Sequence, residues 1–396
     1  MSEFTKKSEK RISALTAYLL GLLDREKGRD LVEKYEILTT QFTPADILVV
    51  FDRVFQQQPD MDNLKMASNK LFNILYKMLC EYPAVTPQPN SFVDYLVRNN
   101  QGVSRLLQET KPLIKLVNSD VSTKTISALR IRFEELQRFM THYVVKENVL
   151  FPYIEQKWSH HACLKLMWSF HDDIRRNVRE VLGLLGEEPF DVIRFNKISS
   201  LLYFNIGTII FREEKILYPL LLEKTDTEDL NDMLAQTAGI GLSFVEMEVP
   251  SQAKKQSKKN DQPIQFKTGR LTVEQTELML NHLPVDITFV DEADTVAYFS
   301  SPKHRIFPRA TGIIGRKVQN CHPAESVDVV NRIVDSFRNG EKDEASFWIH
   351  MGEKYVLIRY YAVRDEKETF KGTLEVTQEI SGIQKIEGDR RLLDWD

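Results

Sequence analysis

One segment of this chain occurs twice. His142-Tyr-Val-Val-Lys-Glu147-Asn-Val-Leu-Phe-Pro152 is answered later by Ile209-Ile-Phe-Arg-Glu213-Glu214-Lys-Ile-Leu-Tyr-Pro219. Aligned without gaps, Glu147 falls on Glu214, Leu150 on Leu217, Phe151 on Tyr218 and Pro152 on Pro219. Self-similarity at a fixed offset marks a repeated supersecondary unit. The simplest unit is a helix pair, and two pairs related by a pseudo-twofold make a four-helix bundle. Each copy sends acidic side chains from an otherwise apolar helix toward a shared interior, where carboxylates and histidines can meet around metal.

The chain around this repeat is long enough, at 396 residues, for two or three domains. Its net charge of −4 gives no reason to expect nucleic acid or an anionic membrane as partner. Cys80, Cys163 and Cys321 are far apart and form no CxxC pair, which argues against a disulfide framework or a zinc ribbon and fits a reducing compartment. The polar start MSEFTKKSEKR is no signal peptide, and no uncharged apolar run is long enough to span a bilayer. The expectation is a cytoplasmic protein.

Helical spacing of apolar residues marks an N-terminal module over residues 1–85, with one helix starting at Thr43-Pro44 and another over Leu64–Leu79. Pro83, Pro87 and Pro89 make a stiff connector. The bundle, over 90–235, is expected as helices near Phe92–Leu116, Ser122–Lys157, Leu164–Leu185 and Phe190–Glu223, with Pro152 and Pro219 closing the second and fourth. Residues 249–269 are rich in Lys, Gln and Ser and read as a linker. From 270 to 385 the texture changes. A short helix, Val273–Leu283, leads into strands Asp286–Asp291 and Thr295–Ser300. After irregular pieces and a helix, Ala324–Asn339, come strands Ala345–Met351, Lys354–Val363 and Phe370–Gln378. Strand connections this short require an antiparallel sheet, so the fold class is all-α followed by α+β with a five-stranded antiparallel sheet.

The last third resembles the PAS sensor fold, and more narrowly the PAS subgroup that follows hemerythrin-like domains in bacterial proteins. The resemblance rests on Phe289-Val-Asp291, Tyr298-Phe-Ser300, Arg305-Ile-Phe-Pro-Arg309, Ile314-Gly-Arg316, Val318-Gln-Asn-Cys-His-Pro323, Phe347-Trp348 and Arg359-Tyr360. The bundle resembles a hemerythrin-like (HHE) cation-binding domain through His142-x-x-x-x-Glu147, Met167-Trp-x-x-His171-Asp and the Arg212-Glu-Glu-x-Ile-Leu-Tyr-Pro219 segment. The N-terminal module is similar to the uncharacterised helical domain that precedes these two. Hemerythrins supply about five histidines and bridging carboxylates to two irons; here Ile209 stands opposite His142, and Ser91 and Asp94 stand where the family tends to have histidine.

Three expectations about chemistry follow. Asp94, His142, Glu147, His171, Glu213 and Glu214 form a candidate carboxylate-rich site for one or two irons. The alternative is a metal-free bundle in which the acids pair with Lys146, Lys215 or Arg212 at the surface and His171 is a satisfied buried residue. The PAS-like fold holds a small ligand among Phe299, His304, Cys321, His322, Trp348 and Tyr360, with His304, Cys321 or His322 able to ligate haem iron. The chain shows no P-loop, dinucleotide fingerprint or nucleophile elbow, so no enzyme is expected. The function implied is a sensor or regulator that couples the bundle to the PAS-like domain for a diatomic gas, a redox signal or a small ligand. It would act on an unidentified protein partner or as a homodimer through Val273–Leu283. Iron storage, iron delivery or iron–sulfur repair is the rival, and a scaffold with both sites empty is the third.

Overall fold

The computed structural model describes residues 3–83, 85–248, 263–322 and 324–388, and divides into two compact units, Met1–Pro250 and Ser251–Asp396. The first is helical. It opens with α1 (Glu3–Leu23), α2 (Gly28–Lys34), α3 (Pro44–Phe55) and α4 (Met61–Glu81). Thr43 starts α3 as the sequence suggests: its hydroxyl accepts from the Asp46 N–H, the Asp46 carboxylate accepts from the Thr43 N–H, and Pro44 fills a first-turn position that needs no donor. Ile47, Val50, Phe51 and Val54 then fall on one buried face, against α1.

Four rods follow. The first is α5 (Phe92–Leu116), capped by Ser91. The second runs through α6 (Thr123–Arg138), α7 (Met140–Val145), a π-turn at Lys146–Leu150 and α8 (Phe151–Lys157). The third is α9 (Cys163–Leu184). The fourth joins α10 (Val192–Arg212), a π-turn at Glu213–Leu217 and α11 (Tyr218–Lys224). Helix α5 packs on α6, α6 on α9, α9 on α10 and α10 on α5, which closes a ring. Helix α12 (Thr227–Ala238) lies against α5. The N-terminal helices are not a separate module: α3 and α4 pack on α9 and on the second π-turn, inside the same compact unit.

The prolines do not close the second and fourth rods. An α-helical proline crowds the carbonyl four residues back and donates no hydrogen bond. Here each helix opens by one residue instead: the Phe151 N–H bonds the Lys146 carbonyl and the Tyr218 N–H bonds the Glu213 carbonyl, five residues back. The wider turn accommodates Pro152 and Pro219, and helix continues beyond both.

Of the expected linker, residues 249–262 lie outside the described residues, and its end forms a small hairpin, β1 (Ile264–Phe266) with β2 (Gly269–Leu271). Helix α13 (Val273–His282) buries none of its side chains. The main sheet contains β3 (Asp286–Asp291), β4 (Val296–Phe299), β5 (Glu344–Met351), β6 (Lys354–Arg364) and β7 (Phe370–Glu379) in the order β4-β3-β7-β6-β5, every pair antiparallel. Helix α14 (Ala324–Arg338) packs against β7. Among the described residues, no helix is long and apolar enough to cross a membrane.

Candidate functional site

Both π-turns place their first residue in the interior of the helical ring. Lys146 and Glu213 occupy equivalent positions of the repeat, 67 residues apart, and bond to each other with both side chains fully buried. The pseudo-twofold therefore passes between a cation and an anion. Glu213 Oε2 also accepts from Tyr218 Oη at 3.0 Å and from Asn100 Nδ2 at 3.1 Å, and lies 3.5 Å from His142 Nε2. Burial alone would raise the Glu213 carboxyl, but the Lys146 ammonium and the His142 ring outweigh it and hold the group below the usual carboxylate range.

The second residues of the two π-turns diverge. Glu147 is buried; its Oε1 lies 2.8 Å from His171 Nδ1, and its Oε2 accepts from Arg175 Nη2 at 2.6 Å. A carboxylate is an acceptor, so His171 carries its proton on Nδ1 and leaves Nε2 as a buried acceptor without a partner. The His171 ring stacks on Tyr143 at 4.1 Å between centroids. Glu214, the repeat partner of Glu147, is only half-buried and meets Asn100 Nδ2 at 3.4 Å. Asn100 thus stands toward Glu214 as His171 stands toward Glu147.

This donor set does not fit iron. The two carboxylates that would neutralise a metal are already neutralised, Glu213 by Lys146 and Glu147 by Arg175. Asp94 is not part of the interior: it sits in the first turn of α5, where its carboxylate accepts from the Asn90 N–H at 2.8 Å and pairs with Arg98 at 3.1 Å. Glu214 sits toward the surface, and Ile209 fills the place opposite His142. Among the described residues, no three His, Cys, Asp or Glu side chains are grouped to hold a metal ion. Of the acids, Glu213 does pair with a repeat-borne cation, Lys146, but in the interior rather than at the surface, and Glu147 pairs with Arg175 of α9.

In the C-terminal unit the sheet register builds a second constellation. Glu375 on β7 lies between Tyr360 on β6 and Thr288 on β3, and Thr288 is followed in the same row by Phe299 on β4. One face of the sheet therefore carries Phe299, Thr288, Glu375 and Tyr360 side by side. From the segment after β4, Arg309 Nη2 reaches Glu375 Oε2 at 3.5 Å, both side chains 12% exposed, and the Arg309 Nε is buried without a partner. Arg305 Nη2 donates to Thr288 Oγ1 at 3.0 Å, and Asp286 Oδ2 accepts from the Ile306 N–H at 2.6 Å. Burial, with smaller effects from Glu375 and Arg309, pulls His322 below the usual imidazole range and pushes the Tyr360 phenol up, so both are neutral at pH 7. Phe299 and Cys321 pack on a small core of Val290, Val296 and Ile313.

Of the candidate ligand residues, Phe299, Tyr360 and His322 are thus brought together, and Cys321 borders them. Trp348 is not with them. It pairs with Leu357, one residue out of phase with the Ala345–Tyr360 row, so it faces the other side of the sheet and is 60% exposed. His304 is exposed as well, which removes it as an axial ligand, and the packed cluster beside Cys321 is a poor fit for a haem macrocycle. Arg309 lies in a segment that carries the resemblance but is not among the candidate ligand residues, and Glu375 carries no local sequence signal. Lys146 did carry one: it aligns with Glu213 as opposite charges at one repeat position.

A family model described as a PAS domain matches residues 276–381. Among solved structures, the C-terminal domain of a Streptococcus mutans protein is 35% identical, with 32% of this chain and 98% of that chain covered, at a TM-score of 0.31. A sensory box sensor histidine kinase from Vibrio cholerae is 13% identical, covering 26% of this chain and 87% of that one, at a TM-score of 0.21. No curated protein matches the sequence.

Proposed function

With residues 276–381 forming a PAS domain, we propose that this chain is a sensory or regulatory protein whose PAS sheet binds a small, neutral or zwitterionic organic molecule. The carrying observation is the row Phe299–Thr288–Glu375–Tyr360, with Arg309 set over Glu375 and its Nε still free to donate. An aromatic and apolar wall with a few convergent polar groups is what a small-molecule site needs. The paired guanidinium and carboxylate favour a ligand that carries both a donor and an acceptor, since a lone charge of either sign would compete with one partner for the other. Neutral His322 and Tyr360 supply further hydrogen bonds without adding charge. The helical ring supports this reading as a structural element whose two central carboxylates, Glu213 and Glu147, are already paired with Lys146 and Arg175. Output passes by contact. Helix α13 exposes Val273, Leu278 and Met279, and a second copy of the chain is the partner this reading expects.

The test is to denature freshly purified full-length chain and identify any released small molecule by mass spectrometry, then titrate it back. Tight binding, a shift in sedimenting mass on binding, and at least tenfold weaker binding in Arg309→Met and Tyr360→Phe variants are expected. No released compound, together with no thermal shift from a library of polar metabolites, would remove the proposal.

A further inference from the structure

Strand β5 ends the main sheet, paired with β6 on one side only. The Ala362 N–H donates to the Asp343 carbonyl at 2.9 Å, which fixes the phase of the β5–β6 ladder. Ala345, Phe347, Ile349 and Met351 then turn their main-chain groups toward β6. Glu344, Ser346, Trp348 and His350 turn theirs away from the sheet, and among the described residues no backbone group meets them. The opposite edge is built differently. Strand β4 has only four residues and a register shift beside it. Its outer side is bonded as well, the Val296 N–H to the Arg316 carbonyl and the Gly315 N–H to the Val296 carbonyl, both at 2.9 Å. Short length, bulges, Lys and Pro are what keep an edge strand from pairing with another chain. Strand β5 has none of these: it has eight residues, an unbroken register and neither Lys nor Pro. Phe347, Trp348, Ile349 and Met351 are also exposed.

We propose that the outer edge of β5 pairs antiparallel with the same edge of a second copy, about a twofold perpendicular to the sheet, so that two five-stranded sheets become one. This specifies where the second copy expected of this chain binds, rests on that expectation, and does not involve α13. The strand is complementary to itself. Such a twofold keeps each face of the sheet on its own side, so a residue can meet only residues of its own face. With Phe347 on the axis, Ala345 faces Ile349, Ser346 faces Trp348 and Glu344 faces His350. One face of the seam is then wholly apolar. On the other, Trp348 lies over a small side chain, and the Glu344 carboxylate meets an imidazole donor at each end of the seam. The His350 ring is held on that face by stacking on Tyr355, 4.3 Å between centroids. The outward-turned residues pair with each other, Glu344 with His350 and Ser346 with Trp348, so each pair exchanges two N–H···O bonds. With Trp348 on the axis instead, Glu344 would meet the Gly352 turn and lose its partner.

Sedimentation of the full chain, from dilute to concentrated, is expected to show a monomer–dimer equilibrium. Ser346→Pro removes one outward N–H and no bond to β6, and is expected to weaken the dimer about tenfold. Hydrogen exchange of the Ser346 and Trp348 amides is expected to slow about tenfold on concentration, while that of Phe347 stays slow throughout. Phe347→Cys reads the register even if the proline variant does not fold. A non-bonded antiparallel pair brings its Cα atoms to about 4.5 Å, so diamide is expected to join two copies of this variant beyond any cross-linking of the unaltered chain. A dimer that Ser346→Pro leaves intact overturns the β5 edge while the second-copy reading stands. A chain that is monomeric at every concentration overturns both. Slow Ser346 and Trp348 amides in a monomer would mean that the edge is covered from within the chain, and they overturn the proposal too.

Discussion

His142 and His171 are the residues through which the helical interior responds to acid. Burial, and then the Lys146 ammonium, lower His142 to about 4; the same two causes, with Arg175 added, hold His171 well below its ordinary value. In the unfolded chain both titrate near 6.5. As pH falls through that value the unfolded state takes up protons that the folded state refuses, so stability is full above about pH 7 and is lost as pH drops toward 4. At pH 5 the loss is roughly 2 kcal/mol for each histidine. Below about pH 4.5 Glu213 adds to it, because its lowered folded pKa means that stability present above the unfolded value disappears in acid. Urea unfolding followed by circular dichroism at pH 7.5 and pH 5 should show a lower midpoint in acid, and His142→Gln should remove about half of the drop. An unchanged midpoint would mean that the rings are solvated. At this scale the sequence was half legible. Charged and imidazole side chains on apolar helices mark His142, Glu147, His171 and Glu213 as buried, yet what each one meets depends on Asn100, Arg175 and Tyr218, which no spacing pairs with them.

Among the elements, the π-turns and one sheet glycine carry constraints that periodicity does not display. Apolar spacing located α5 at Phe92–Leu116 and β3 at Asp286–Asp291, because the pattern survives the interior Pro112 of the one and the register shift at Phe289–Val290 of the other. A proline reads locally as a stop, and only the turn that absorbs it, with five-residue bonds to Lys146 and Glu213, shows why the helix goes on. Trp348 was misplaced for a similar reason: alternation tells which residues share a face, but not which face is covered. Gly372 has a sharper requirement. It pairs with Asp291 at φ 142°, and an added Cβ would lie 2.2 Å from the Val290 carbonyl oxygen. Backbone strain of about 1–3 kcal/mol and a clash with backbone that cannot rotate away would both oppose a side chain there. Gly372→Ala should therefore speed hydrogen exchange of the β3 and β7 amides about a hundredfold. Gly352→Ala, where φ is 62° and nothing lies within 4 Å, should cost only about 1 kcal/mol. Equal effects from the two would show that the β3–β7 contact is not as tight as described.

For the molecule as a whole, what matters is where cooperative boundaries fall. Composition placed one near Pro83–Pro89, since a run of prolines looks like a connector. The contacts that contradict this are long-range and polar, and so leave no trace in a local window. Lys65 on α4 pairs with Asp173 on α9 at 2.7 Å, Asp52 on α3 lies 2.7 Å from His160 and accepts from the Ala162 N–H at 2.8 Å, and Ser68 and Asn69 hold Arg212. Leu166 and Met167 on α9 are buried under the same helices. Removing residues 1–85 would expose this apolar surface and leave Arg212 without its acceptors, a loss of several kcal/mol against a total that for one domain is about 5–15 kcal/mol. The shortened chain should consequently lose protection of the α9 and α10 amides in hydrogen exchange, while the amides of β3, β6 and β7 keep theirs, because the sheet belongs to the other compact unit. Full protection of α9 and α10 in the shortened chain would instead make the N-terminal helices an accessory that the ring does not need.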